Sequence, residues 1–273
     1  MNSYAFLNPI GFLNPIGGVS LALGMALTAG ALAPMSAQAQ EIDPLATEVL
    51  QLMSDYLAET EALSFNADID FEVITTNGQK LQFSSYASVL LSRPNGIHIH
   101  RQGPLADVDI VFNGSQITLF GRRINAYVQQ ALTGTVEEAI LAVEADTGIP
   151  FPGADLLFSN PYEVLMAGVT SSQYLGTGYI DGVEVHHLAF REDDVDWQIW
   201  VQTGDQPLPM KYVITTKWVT GAPQYETRLR DWNTSPQVGP QAFTFTAPAG
   251  AQRLEALPPS EREDFQSAEE AQS

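Results

Sequence analysis

The sequence predicts an α+β protein: one large curved antiparallel sheet, covered on a single face by a few helices. Three observations carry this. From Leu63 to Val73 apolar and polar residues alternate with period two, and stretches of the same kind follow on both sides of a central gap. Short turn signals (Asn77-Gly78, Asn113-Gly114, Asp181-Gly182) join neighbouring stretches, so strands return antiparallel. Helical patterning is confined to the segment before Leu63 and to the gap itself.

The first element is a separate object. Residues 1–39 hold no charged side chain, and an apolar run from Val19 to Ala33 leads through Pro34 to Ala37-Gln38-Ala39. That order is the hydrophobic region and cleavage site of a secretory signal, predicted to be cut before Gln40. The run is short for a membrane span. It lacks an early Lys or Arg, and it carries a tandem copy, Phe6–Gly11 and Phe12–Gly17, for which we have no physical account.

Asp43-Pro44 is an N-cap followed by a first-turn proline, and Leu45, Val49, Leu52, Met53, Tyr56 and Leu57 fall on one helical stripe. The strand at 63–73 follows, with Leu63, Phe65, Ala67, Ile69, Phe71 and Val73 on its apolar face. Asn77-Gly78 predicts a type I′ hairpin to a strand at about 79–92. Arg93-Pro94-Asn95-Gly96 turns the chain again, and Ile97 and Ile99 begin a third strand. Strands near 107–112 and 115–120 flank Asn113-Gly114, so residues 63–128 form a meander.

Thr135 and Glu138 have capping-box spacing before a helix ending near Gly148, where Pro150 and Pro152 stop it. Asn160-Pro161 opens a second short helix. Strands are then expected at Tyr174–Tyr179, Val183–Glu192, Asp196–Gln202, Met210–Thr220 and Gln224–Asn233. Among them Trp197, Ile199 and Val201 share a face, as do Met210, Tyr212, Ile214 and Trp218. The segment from Arg253 is acidic, nearly free of large apolar residues, and expected to be disordered. Thus residues 40–252 are read as one domain between a signal and a tail.

Composition narrows function. With 32 acidic and 12 basic residues the net charge is −20, which excludes nucleic-acid binding and a polybasic grip on anionic lipid. The absence of cysteine excludes disulfides, thiol nucleophiles, zinc ribbons and a lipidated cysteine. With 45% hydrophobic residues there is ample core. Too few helical residues exist to cover a sheet of about nine strands completely. A cavity between sheet and helices follows, suited to an apolar ligand.

Particular residues add a resemblance. Leu63-Ser64-Phe65-Asn66-Ala67, Arg93-Pro94-Asn95, and Asn113-Gly114 before Ile117-Thr118-Leu119-Phe120 resemble the LolA-like superfamily of bacterial lipoprotein carriers. Phe243-Thr244-Phe245-Thr246, with Pro248 and Gly250, is similar to that fold's last strand. Asp181-Gly182-Val183, His187-Leu188-Ala189-Phe190-Arg191, Asp196-Trp197-Gln198-Ile199-Trp200, Pro207-Leu208-Pro209, Tyr212–Lys217 and Asp231-Trp232-Asn233 resemble DUF2092, a family of predicted periplasmic proteins. The resemblance implies an incomplete β-barrel closed by helices, with acyl chains or other lipids in an apolar cavity. It also implies that Arg93 bonds the lid helices and keeps the empty cavity closed. The expected lining residues are Phe65, Ile69, Phe71, Ile99, Trp197, Ile199, Tyr212, Ile214 and Trp218; the alternative is that such residues form a plain core.

Other chemistry is thin. His98 and His100 share a strand face, whereas His186 and His187 point oppositely, and neither pair has the further ligands of a zinc site. Asp193, Asp194 and Asp196 read as a hairpin turn and not as a calcium loop. No nucleophile elbow, P-loop or dinucleotide fingerprint occurs, so no catalytic residue, metal or cofactor is assigned. Three function classes remain: a periplasmic carrier of lipid or another apolar ligand, expected as a monomer; an envelope assembly partner with a filled core; and, last, a metal-dependent hydrolase.

Overall fold

The computed structural model describes residues 41–104, 107–147 and 151–255. The expected signal, and the tail beyond residue 255, lie outside the described residues. The architecture is the expected one: an open, curved antiparallel sheet with helices on one face, although the sheet has 12 strands instead of about nine.

Two meanders build it. β1 (Ala62–Ile74), β2 (Lys80–Ser92), β3 (Gly96–Gln102), β4 (Asp107–Phe112), β5 (Gln116–Gly121) and β6 (Ala126–Ala131) step outward from the centre. β7 (Ser171–Ile180), β8 (Val183–Arg191), β9 (Val195–Gln202), β10 (Pro209–Thr216) and β11 (Gln224–Asn233) step back inward, until β11 pairs with β1. β6 therefore lies near one end of the sheet and β7 at the other. The segment joining them must cross the sheet, and it carries α2 (Val136–Thr147), a 3₁₀ turn (Ala154–Leu157) and α3 (Pro161–Met166) over the concave face. The cover is a consequence of connectivity.

α1 (Pro44–Glu59) lies on the same face, packed on β7, β8, β9 and α3. Asp43 caps it by accepting from Leu45 N, and its other carboxylate oxygen accepts from Tyr174 N of β7 at 2.9 Å. One carboxylate thus ends the helix and pins it to the sheet edge. The backbone bond from Tyr174 is the foremost cause holding the Asp43 carboxyl below its usual range. Ala46, Val49, Leu50, Met53 and Leu57 are the buried stripe. For α2 the capping box forms as its spacing predicts: Glu138 Oε2 accepts from Thr135 N at 2.8 Å, and Thr135 Oγ1 from Glu138 N at 3.2 Å.

Local details depart from expectation. The Asn77-Gly78 turn is not type I′, because only Gly78 has a positive φ (82°) and Gly78 N donates to Thr75 O. The Asp181-Gly182 turn does place both residues at positive φ, 49° and 83°. Phe243–Thr246 is not a strand. After β11 the chain crosses the outer face, where Phe243 lies over Gly96 and Phe245 packs on Phe120 and Tyr127, at 5.4 and 5.1 Å. It reaches the edge only as β12 (Gln252–Arg253), parallel to β6.

Candidate functional site

Sheet register fixes which side chains face the helices. One lateral row reads Phe65, Val89, Ile99, Ile110, Leu119, Val128 across β1 to β6. The other half contributes Trp197, Ile199 and Val201 of β9 and Tyr212 and Ile214 of β10. Of the nine expected lining residues, Phe65, Ile69, Trp197, Ile199, Tyr212 and Ile214 are buried in the main core. Trp197 stacks on Phe190 at 4.0 Å and meets Tyr212 edge-on at 5.8 Å, while Phe65 packs on Trp232 at 4.4 Å. Phe71 and Ile99 face inward but are only partly buried. Trp218 departs from its expected row: β10 ends at Thr216, and Trp218 is 39% exposed. The physical reason is that Lys217 N donates to Asp194 O, after which the chain turns through Gly221 at φ 95°.

The two halves of the concave face are filled unequally. Beneath α1 and α3 the core is tight, with Ile199 and Leu165 fully buried. Toward β4 to β6, Val108 and Val128 form a separate small cluster that touches Leu119, itself only partly buried. Phe71 stacks with Phe83 at 5.6 Å, and both are only partly buried. Inward-facing Phe71, Ile99 and Leu119 are thus only partly buried, whereas their neighbours Val108, Ile110 and Val128 are buried. At the far strands, a pocket of about 210 Å³ is lined by Ser172, Gln173, Phe190, Asp196 and Trp197; its walls are too polar for an acyl chain.

The cover is tied down at one corner. Arg93, at the end of β2, sends Nη1 to Leu157 O of the 3₁₀ turn at 2.8 Å and Nη2 to Leu57 O of α1 at 3.3 Å. The next residue continues the tie, since Pro94 O accepts from Val136 N at the start of α2 at 2.9 Å. Glu137 then accepts from Ser159 N and Oγ, joining α2 to the segment before α3. Burial lowers the Arg93 pKa and Glu137 opposes that, so the guanidinium stays charged. A planar fork suits two carbonyls from different elements, and Lys could not span both.

Two further features escaped the sequence. Glu192, in the β8–β9 turn, accepts from Trp197 Nε1 at 2.8 Å. Burial pushes its carboxyl up to about 7, and Asp155 of the 3₁₀ turn adds to the rise. Arg101 is buried on the inward face. Period two had placed it beside Ile97 and Ile99, which was the signal available. The histidines sit as the strand parity requires. His98 Nε2 lies 3.1 Å from Asp109 Oδ1 and His100 Nε2 lies 2.8 Å from Asp107 Oδ1 on the outer face. Burial raises the Asp109 carboxyl, but bonds from His98 and Arg122 outweigh it and hold it at about 2. His186 faces inward to Tyr174, and His187 outward, stacked on Trp200. Among the described residues no group of three or more His, Cys, Asp or Glu could hold a metal ion.

A family model matches residues 46–257, most of the chain; its description is "Predicted periplasmic protein (DUF2092)". The chain belongs to the DUF2092 family. No curated protein matches it. Solved structures similar to this DUF2092 protein include Mycobacterium tuberculosis lipoprotein LppX, 13% identical, with TM-score 0.38 over 72% of this chain and 100% of that one. LprF from Mycobacterium bovis is 14% identical, with TM-score 0.43 over 77% and 99%. A LolA superfamily protein from Nitrosomonas europaea is 10% identical, with TM-score 0.37 over 73% and 97%.

Proposed function

We propose that this DUF2092 protein is a periplasmic binding or carrier protein for a lipid or another apolar ligand, held between the sheet and its helical cover. The observation that supports it best is that the inward-facing apolar side chains of Phe71, Ile99 and Leu119 are only partly buried. Exposed apolar area of that kind is favourable to cover, at about 25 cal/mol per Å². Arg93 then serves as the clasp of the closed, empty state. The binding unit is the domain from residue 40 to 252, exported on the residues before it. The reading requires neither catalysis nor a cofactor.

The ligand floor is narrower than the sequence implies. It comprises Ile99 and Leu119, in one lateral row with Phe65, and Phe71 further along β1 beyond Ile69. Trp197, Ile199, Tyr212 and Ile214 serve chiefly as packing. A fluorescent fatty-acid probe should bind purified protein with a blue-shifted signal, and lipid extraction followed by mass analysis should identify what co-purifies. A folded protein that takes up no probe of any chain length would sink the proposal.

A second reading rests on the buried six. If the cover never opens, the filled core makes this an envelope assembly partner acting through its surface. Absence of co-purifying lipid, together with a stable protein complex from the envelope, would favour it.

A further inference from the structure

The two edges of the sheet are finished differently. At the β6 edge the chain covers itself with β12: Gln252 N donates to Asn125 O at 3.0 Å and Leu254 N to Tyr127 O at 2.8 Å. β7 forms the other edge. Its first half is covered by the residues that lead into α1, with Ser172 N donating to Glu41 O at 3.2 Å and Tyr174 N to Asp43 Oδ2 at 2.9 Å. A bulge between Tyr174 and Thr177, with Gly176 at φ 100°, follows that covered part.

Beyond the bulge, hairpin geometry dictates which backbone groups face outward. Asp181 and Gly182 both have positive φ and form a two-residue turn, so Ile180 and Val183 exchange hydrogen bonds across it. Alternation makes Gly178 and Val185 the next such pair. Tyr179 and Thr177 therefore aim their N–H and C=O groups away from β8, at the open edge. The same alternation turns Glu184 toward β9, where its carbonyl accepts from Thr203 N at 3.1 Å. Among the described residues the outward groups of Thr177 and Tyr179 take no partner. Tyr179 is 70% exposed, the highest value among the large hydrophobic residues described, and Leu175 is 50% exposed. From Val164 to Ile180 no side chain is charged, and β7 holds no proline.

Unpaired backbone on such a strand is a template for another strand, and sheets ordinarily blunt it with charge, proline, a bulge or a covering segment. The two devices that β7 carries, the bulge and the covering segment, both lie before Thr177. We propose that the edge of β7 from Thr177 to Ile180 docks an extended, basic segment of a partner protein, which adds to the sheet as one more strand. Main-chain bonds to Thr177 and Tyr179 supply affinity, and alternate apolar side chains of the incoming segment pack on Tyr179 and Leu175. Charge selects the occupant. The groups bordering this half are acidic: Asp181 and Glu184 at the hairpin end, and Asp205 two residues beyond Thr203. Arg228 meets Asp181 at 3.3 Å, yet the chain as a whole carries −20. A segment with Lys or Arg is drawn in, whereas a second copy of this chain would set its own Asp181 and Glu184 against these and is repelled. The inference stands apart from the carrier reading, since it needs no ligand between the sheet and its cover.

The test uses the mature protein and two labelled peptides of alternating valine and threonine, one with lysine at both ends and the other with glutamate. At low salt, fluorescence anisotropy should show the lysine peptide binding at least about tenfold tighter, with the gap narrowing as salt rises. Bound peptide should slow amide exchange at Thr177 and Tyr179. Tyr179→Lys puts a like charge on the exposed edge, and Thr177→Pro removes one outward N–H without touching the ladder to β8. Each should cut affinity for the lysine peptide about tenfold or more; if Thr177→Pro fails to fold, Tyr179→Lys, at an exposed position, decides. No binding of either peptide, equal binding of both, or undiminished binding by either folded variant overturns the proposal. A wild type that sediments as a dimer, with Tyr179→Lys a monomer, assigns the edge to a second copy and overturns it as well.

Discussion

At the scale of single residues, buried charge decides behaviour. Arg93 joins β2 to α1 and to the 3₁₀ turn through two charged-donor hydrogen bonds, each worth about 1.5–3 kcal/mol. Arg93→Leu should raise hydrogen exchange in residues 151–166 and the last turn of α1 while β1 stays protected. It should also slow release of a bound probe, because the empty closed state loses its competing contact. Unchanged exchange in the folded variant would return Arg93 to an ordinary strand-end role. Glu192 gives a pH dependence of definite sign. Its carboxyl titrates near 7 when folded against 4.5 ordinarily, so the folded state binds the extra proton. Stability from this group is full below pH 4.5 and falls as pH rises toward 7, by at most about 3 kcal/mol. Glu192→Gln keeps the acceptor for Trp197 Nε1 and removes the charge. It should raise Tm at pH 8 and flatten that slope, read through Trp197 fluorescence. A slope as steep as wild type would show that another group causes it.

At the scale of elements, alternation and caps were legible because they are local. The capping box at Thr135 and Glu138, the cap at Asp43 and both meanders could be read from spacing alone. Thr135→Ala should destabilise by about 1 kcal/mol, measured by urea denaturation. The crossing segment after β11 was not legible. Phe243-Thr244-Phe245-Thr246 has strand alternation, yet its partners, Gly96, Phe120 and Tyr127, lie far away in sequence. A Cβ on Gly96 would sit 2.4 Å from the Phe243 ring, so that contact needs glycine. Gly96→Ala should therefore cost clearly more in wild type than in a Phe243→Ala background, with a coupling of about 0.5–3 kcal/mol. Additive costs would mean that the ring moves aside freely.

At the scale of the whole molecule, the expected export gives a direct prediction. Ala37-Gln38-Ala39 motivates processing before Gln40. N-terminal sequencing of protein from the envelope fraction should find Gln40 or a close neighbour, and full-length protein confined to the cytosol would remove the periplasmic assignment. The sequence by itself determined the α+β class, the strand faces, the two meanders, the helix caps and the acidic surface. Each depends on a period, a turn or a count that neighbouring residues already contain. Only the tertiary structure decided that β11 closes onto β1, that the helical connection therefore crosses the concave face, and that Phe71, Ile99 and Leu119 on that face are left only partly buried. It alone brought Arg93 to carbonyls 36 and 64 residues away, and set β7 at the edge of the sheet. Both depend on which strands become neighbours, and strand order is set by long-range pairing that no local pattern encodes.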